Sequence, residues 1–127
     1  MGHRSGGAAL RTATPAAFGG PGDRFSATDL LAAALGSCIA TDLAAIGGRH
    51  GIAPGDLRVE VGKTLSVRPK RLVALTVVVR TPPDVDGALR LRLERAARSS
   101  VVARSLAVEI RVTVSTPRGE AECWGRQ

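Results

Sequence analysis

The stretch from Ser26 to Gly48 constrains the fold more than any other part of the chain. Ser26-Ala27-Thr28-Asp29 has the form of a capping box, in which the Ser26 hydroxyl accepts from a first-turn amide and Asp29 returns a bond while favouring the positive helix end. Residues 30–46 continue the helix, and Gly47-Gly48 suits a left-handed C-cap. The helix is rich in small residues and apolar almost all round, so it is expected to be buried on most sides. At 1.5 Å per residue, about 20 residues span about 30 Å, the width of a small domain, which predicts a helix running through the middle.

What surrounds that helix must be small. The 127 residues suit one compact domain, read as residues 1–116 with a tail over 117–127 that carries Cys123 and Trp124. Apolar residues make up 44% of the chain but aromatics only 2%, so Leu, Val, Ile and Ala must supply the core, and dimerisation would add burial.

The remaining pattern predicts the partners of the helix. Residues 8–12 can make a short strand before Pro15, and Gly19-Gly20-Pro21-Gly22 reads as a loop. Alternation over 57–61 and a Val-rich run over 72–80 read as strands, separated by a basic bend at Arg68-Pro69-Lys70-Arg71. Pro82-Pro83-Asp84 opens a second helix, with Val85, Ala88, Leu89, Leu93, Ala96 and Ala97 on one stripe. Residues 107–114 alternate strictly as a last strand. The order strand, long helix, two strands, helix, strand indicates an α+β domain whose thin sheet leaves helix surface for a second subunit to cover.

Charge and cysteine usage exclude several classes. A net charge of +7 and a pI near 11.2 would suit nucleic acid or an acidic membrane surface, but the excess is mostly Arg in an Ala-, Gly- and Val-rich chain, as coding bias also produces. The Arg90, Arg92, Arg95 and Arg98 face lacks an aromatic stacking platform, so nucleic acid is not expected as a partner. Cys38 and Cys123 are far apart and form no metal-ligand spacing, so neither metal nor cofactor is expected. The first seven residues contain no apolar leader segment, and no stretch reaches the roughly 18 apolar residues of a membrane span, which predicts a cytoplasmic protein with reduced thiols.

Cys38 is the residue to examine for chemistry. A free cysteine in a buried helix can be simply a small hydrophobe. A reactive one needs a nearby cation or helix N-terminus. Cys38 lies three turns into its helix, so activation would have to come from an Arg elsewhere.

The residues Gly19-Gly20 and Phe25-Ser26-Ala27-Thr28-Asp29-Leu30-Leu31-Ala32-Ala33-Ala34-Leu35-Gly36-Ser37-Cys38 resemble the first cysteine motif of the OsmC/Ohr family. Val59 to Lys63, the bend at Arg68 to Leu72, and Ala96 to Leu106 are similar in order and spacing to the family's middle strands and second cysteine motif. The resemblance implies an OsmC-like fold: an intertwined homodimer whose central helices pack against antiparallel sheets, with sites at the subunit interface. It also implies peroxidase chemistry. The helix thiolate attacks a peroxide, a second cysteine captures the sulfenic acid as a disulfide, and external thiols restore it.

By the same resemblance Cys38 matches the peroxidatic cysteine, but Ser100 stands where the resolving cysteine belongs, and Val101 and Ala103 replace neighbouring Pro and His. A hydroxyl cannot form that disulfide. Thr28 occupies the position of the acid that orients the family's catalytic Arg. The adjacent Asp29, nine residues before Cys38, falls on nearly the opposite helix face at about 100° per residue and is read as a cap. The chain starts within the family's first hairpin, which implies loss of the first strand and its Arg and leaves Arg4 or Arg11 either to substitute or to be surface residues. Cys123 could resolve Cys38 only if the tail folds back.

Two functions are therefore expected. One is a thiol protein of oxidative-stress defence that reduces or senses organic hydroperoxides through Cys38 and relies on an external thiol reductant. The other is a non-catalytic dimer of the same fold that binds a small apolar ligand.

Overall fold

The capping box starts its helix where the sequence places it. In a computed structural model that describes residues 2–117, α1 (Ala27–Arg49) packs on a three-stranded sheet of β3 (Arg58–Val67), β4 (Lys70–Arg80) and β5 (Glu109–Ser115). A hairpin of β1 (Gly2–Ser5) and β2 (Ala8–Arg11) precedes α1. The helices α2 (Gly87–Arg98) and α3 (Val101–Ser105) connect β4 to β5. The architecture is α+β, built on a long helix and a thin sheet as expected.

At the start of α1, the Ser26 amide donates to Asp29 Oδ2 at 2.8 Å and the Asp29 amide donates to Ser26 Oγ at 3.2 Å. The end of the helix differs from expectation. Gly47 and Gly48 remain helical, and the left-handed residue is Gly51, with φ of 76°. The amides of Ile52 and Gly51 donate to the carbonyls of Gly47 and Gly48, the paired bonds of a Schellman ending. Gly47 serves packing instead: a Cβ there would lie 2.8 Å from Leu57 Cδ1, so the end of the leucine side chain would have to shift.

A larger correction concerns burial. Within one chain α1 buries a single stripe, Ala32, Leu35, Ile39, Leu43 and Gly47, at the spacing of one helix face. Ala33, Ala34, Ser37, Ala40, Thr41 and Ala45 are exposed. One sheet with one helical layer covers only one side of a cylinder, so the all-round apolar pattern exceeds what a single chain buries. By length and composition alone α1 could also cross a membrane, with a mean hydropathy of 1.8 over an 18-residue window. This departs from the expectation that no stretch is long enough, because Gly, Ser and Thr interrupt the apolar run of α1 without much lowering its mean hydropathy. Here the stripe packs on the sheet of its own chain.

The β3–β4 pair is antiparallel, runs from Arg58 opposite Arg80 to Val67 opposite Lys70, and turns at the basic bend, where the Arg68–Pro69 peptide is cis. β5 joins β4 in parallel, which requires a crossover rather than a hairpin; α2 and α3 supply it. Alternation places Leu75, Val77 and Val79 of β4 and Val112 and Val114 of β5 against the core, where Leu89, Leu93 and Ala97 of α2 meet the α1 stripe. α2 starts later than the prolines suggest: Asp86 is its cap and accepts from the Leu89 amide at 2.7 Å.

The expected strand at residues 8–12 is present as β2, and it has an antiparallel partner in β1. Gly6 and Gly7 join them at φ of 56° and 87°, the two positive values that a tight two-residue turn demands. Every residue of β2 is exposed.

Two glycines test the packing. A Cβ on Gly20 would collide with the Thr14 carbonyl oxygen and Cβ, whereas one on Gly48 meets nothing within 4 Å. Gly20→Ala is expected to destabilise by about 1–3 kcal/mol, and Gly48→Ala to stabilise by about 0.5–1 kcal/mol through helix propensity. Urea denaturation of both variants checks this.

Candidate active site

Cys38 is a free cysteine on α1, half-buried beside the fully buried Ile39 and Leu35. It sits at the edge of the packed stripe rather than within it. Ser100, which is 1% exposed, is the N-cap of α3; its Oγ accepts from the Ala103 amide at 3.3 Å. α3 packs against α1, so the segment carrying Ser100 adjoins the helix carrying Cys38. Ser100 thus has a local structural task that a thiol, a weak acceptor, performs poorly.

The structure gathers the other candidates at the start of α1. The Lys63 ammonium donates to Thr28 Oγ1 at 2.8 Å and Ser26 Oγ at 3.2 Å, and it pairs with Asp29 Oδ1 at 2.7 Å. The second Asp29 oxygen accepts from the Ser26 hydroxyl at 2.9 Å. The hydrogen bond from Lys63, with those from Ser26, holds the Asp29 carboxyl below its usual range despite some opposing desolvation. Asp29 is therefore a cap and also one half of an ion pair that ties α1 to β3.

Lys63 was not among the residues expected from sequence. The signal was present, because Val59, Val61 and Lys63 alternate on one strand face, and a lysine on an inward face needs a partner. At Gly36 a Cβ would lie 3.1 Å from Val61 Cγ2, so the glycine sets how closely α1 approaches β3, as the small residues before Cys38 suggest.

Between these elements runs a groove of about 460 Å³, with Phe25, Ala33, Gly36, Ala40, Val59 and Val61 among its lining and Asp29 and Lys63 at one end. A second hollow of about 330 Å³ shares Ser37, Ala40 and Val59 with it and extends toward Pro54 and Leu57. Nine residues of helix turn Cys38 about 180° from Asp29, so the thiol faces away from this groove. Arg4 lies opposite Ala9 in the hairpin, and Arg11 is exposed at the end of β2. Cys123 lies outside the described residues. Among the described residues, no group of three or more His, Cys, Asp or Glu is placed to hold a metal ion.

A free thiol on the central helix of a small α+β domain, with a capped helix start clasped to the sheet, defines a thiol-bearing class. Comparison with known proteins makes the class specific. The family model described as OsmC-like protein matches residues 20–115, and the chain belongs to that family.

Among solved structures, the chain is similar to a Psychrobacter arcticus protein assigned to osmotic stress induction and detoxification response, at 25% identity and a TM-score of 0.76, covering 90% of this chain and 83% of that one. It is also similar to the organic hydroperoxide resistance protein OsmC of Legionella pneumophila, at 17% identity and a TM-score of 0.65, covering 91% and 93%. A third similar structure is a Vibrio cholerae protein assigned to organic hydroperoxide resistance, with captopril bound in one of its active sites, at 16% identity and a TM-score of 0.60, covering 86% and 76%. No curated protein sequence matches the chain.

The Asp29–Lys63 pair has a testable pH signature. Because the folded Asp29 carboxyl titrates below the ordinary range of an aspartate, its contribution is present above that range and is lost as pH falls through the folded value. Both side chains are partly exposed, so the stabilisation at neutral pH should be modest, about 0.5–1 kcal/mol. Asp29→Asn should lose that amount at pH 7, with the gap from the parent protein closing below pH 4. Urea midpoints across pH 3–7 would show it; a gap of constant size would place the effect in packing instead.

Proposed function

We propose that this protein is a thiol protein of oxidative-stress defence in which Cys38 reduces or senses organic hydroperoxides. The observation that carries the reading is the position of Cys38, free and half-buried at the rim of the core, where a reagent can reach it. The family membership and the named hydroperoxide-resistance activities of the Legionella and Vibrio neighbours support it. The Cys38 thiolate attacks the peroxide oxygen, giving a cysteine sulfenic acid and an alcohol. With Ser100 in the resolving position, an external thiol condenses with the sulfenic acid, releasing water and leaving a mixed disulfide. A second equivalent of thiol then frees Cys38 and departs as the oxidised disulfide. This cycle suits the cytoplasm, where thiols stay reduced. Residues 1–116 form the working domain, with 117–127 as a tail. Arg4, or Arg11 from the same hairpin, is the candidate for the missing activating cation, supplied from a partner subunit.

The working unit in this reading is a homodimer. The exposed small-residue face of α1 is apolar surface awaiting a cover. A two-stranded ribbon such as β1–β2, exposed along β2, is marginal by itself, and both β3 and β5 are open sheet edges. A second copy answers all three needs. Light scattering should report a dimer, and Ala34→Arg combined with Ala45→Glu should convert it to a monomer of lower stability.

The apolar groove beside β3 favours a second reading, a dimer of the same fold that binds a small apolar ligand without catalysis. The two separate on one assay. Purified protein with cumene hydroperoxide and a dithiol is expected to consume peroxide, and Cys38→Ser is expected to fall to the uncatalysed rate. Absence of turnover in the parent protein would discard the peroxidase reading. Ligand binding unchanged in Cys38→Ser would then support the second.

A further inference from the structure

At the polar end of the groove beside β3, the hydrogen bonds among Ser26, Thr28, Asp29 and Lys63 leave acceptors but no side-chain donors. The Lys63 ammonium has three N–H bonds and three acceptors, Asp29 Oδ1 at 2.7 Å, Thr28 Oγ1 at 2.8 Å and Ser26 Oγ at 3.2 Å. The Ser26 hydroxyl hydrogen goes to Asp29 Oδ2 at 2.9 Å. In the remaining contact, between Thr28 Oγ1 and Ser26 Oγ at 3.1 Å, Thr28 is therefore the donor. Asp29 Oδ1 accepts from Lys63 alone among the described residues, so it has lone-pair capacity for one more donor. Away from this end the lining is apolar. The groove continues past Ala40 into the second hollow at Pro54 and Leu57, and α1 rises about 22 Å from Asp29 to Ala44 along it. Ala45 stands nine residues after Gly36, about half a turn round the helix, so a subunit contact on the face of Ala34 and Ala45 leaves this trough open.

We propose that this trough binds a single-chain aliphatic alcohol, with its hydroxyl donating to Asp29 Oδ1 and its chain lying along α1 toward Leu57. The proposal rests on the reading of the groove as a site for an apolar ligand and is independent of turnover at Cys38. The chemistry of the polar end selects the head group. A carboxylate would bring lone pairs and negative charge to Asp29, and Lys63 has no uncommitted N–H with which to compensate. An alkylammonium could donate but would set a second cation beside Lys63. An ether has no hydrogen to give. An alcohol is neutral and makes one bond to a charged acceptor, while its chain takes the apolar lining out of water.

Isothermal titration of the full-length protein with decanol tests this, beside the same chain ending in a methyl ether, a carboxylate or an ammonium. The alcohol is expected to bind roughly tenfold more tightly than each of the other three. Ala40 is exposed where the two hollows meet, so Ala40→Leu should keep its urea midpoint and lower alcohol affinity about tenfold by blocking the trough. Lys63→Met should retain the alcohol and raise the affinity for decylammonium about tenfold, because the competing cation is gone. Equal binding of alcohol and ether would mean that the groove takes apolar chains without reading the head, which overturns the proposal and leaves the apolar-ligand reading standing. Decanoate bound as tightly as decanol would overturn it in the same way. Binding of none of the four would remove both.

Discussion

The packing of α1 on β3 and β4 is the contact on which the rest of the fold depends. Leu35, Ile39 and Leu43 are completely buried there, each contributing about 1.5–3 kcal/mol relative to exposure. With few aromatics available, that contribution requires close approach, and Gly36 permits it by leaving Val61 nothing to strike. A side chain at Gly36 would lift the helix from the strand and loosen the contacts of its neighbours along the stripe. The small residues of α1 thus serve two surfaces. Gly36 and Ala32 admit the sheet, while Ala34 and Ala45 leave the outer face free of bulky side chains.

Lys63 fixes the angle of that packing. Its ammonium reaches three oxygens around the first turn of α1, so the N-terminus of the helix is anchored to the strand at one end, while the Gly47–Leu57 contact settles the other. The clasp itself lies on the groove side, about half a turn from the flank that carries Cys38. A groove anchored by an ion pair and a thiol on the far flank are separate features of one helix. A role for Asp29 in thiol chemistry therefore has no geometric support within one chain, and the hairpin arginines remain the candidates for a cation near Cys38.

Much of this was legible in the sequence because local rules and tertiary demands agreed. The capping box at Ser26 and Asp29, the alternation of residues 57–61 and 107–114, and the stripe of α2 all appear as elements of the expected type. The misses occur where a residue answers to something distant. Gly47 looks like a terminator but remains helical and lies against Leu57, ten positions further on and beyond the reach of helix-end rules. β1 was hidden because its pairing depends on the turn at Gly6 and Gly7 rather than on its own pattern. The apolar circumference of α1 suggests burial on most sides, whereas within one chain only a single stripe of it is buried. The clasp needed Lys63 to be read together with Asp29, 34 residues apart in number and adjacent only in the fold.

Ser100 shows how the departure from a two-cysteine scheme fits the rest of the molecule. α3 has only five residues, too few for helix propensity alone to hold it, so its cap matters more than it would on a longer helix. A serine supplies that cap from a fully buried position, and its hydroxyl is satisfied there. A cysteine at the same place would add a thiol for resolving Cys38 while weakening the only turn-stabilising bond from that side chain. In the reading proposed above the chain has taken the stable turn and left resolution to an external thiol. An external thiol can serve only if the thiol flank of α1 stays open to solvent at the dimer boundary. Ala34 and Ala45 stand four residues before and seven after Cys38 on the same side of α1, so a subunit contact on that face would border the thiol, and the external thiol would have to enter along its edge.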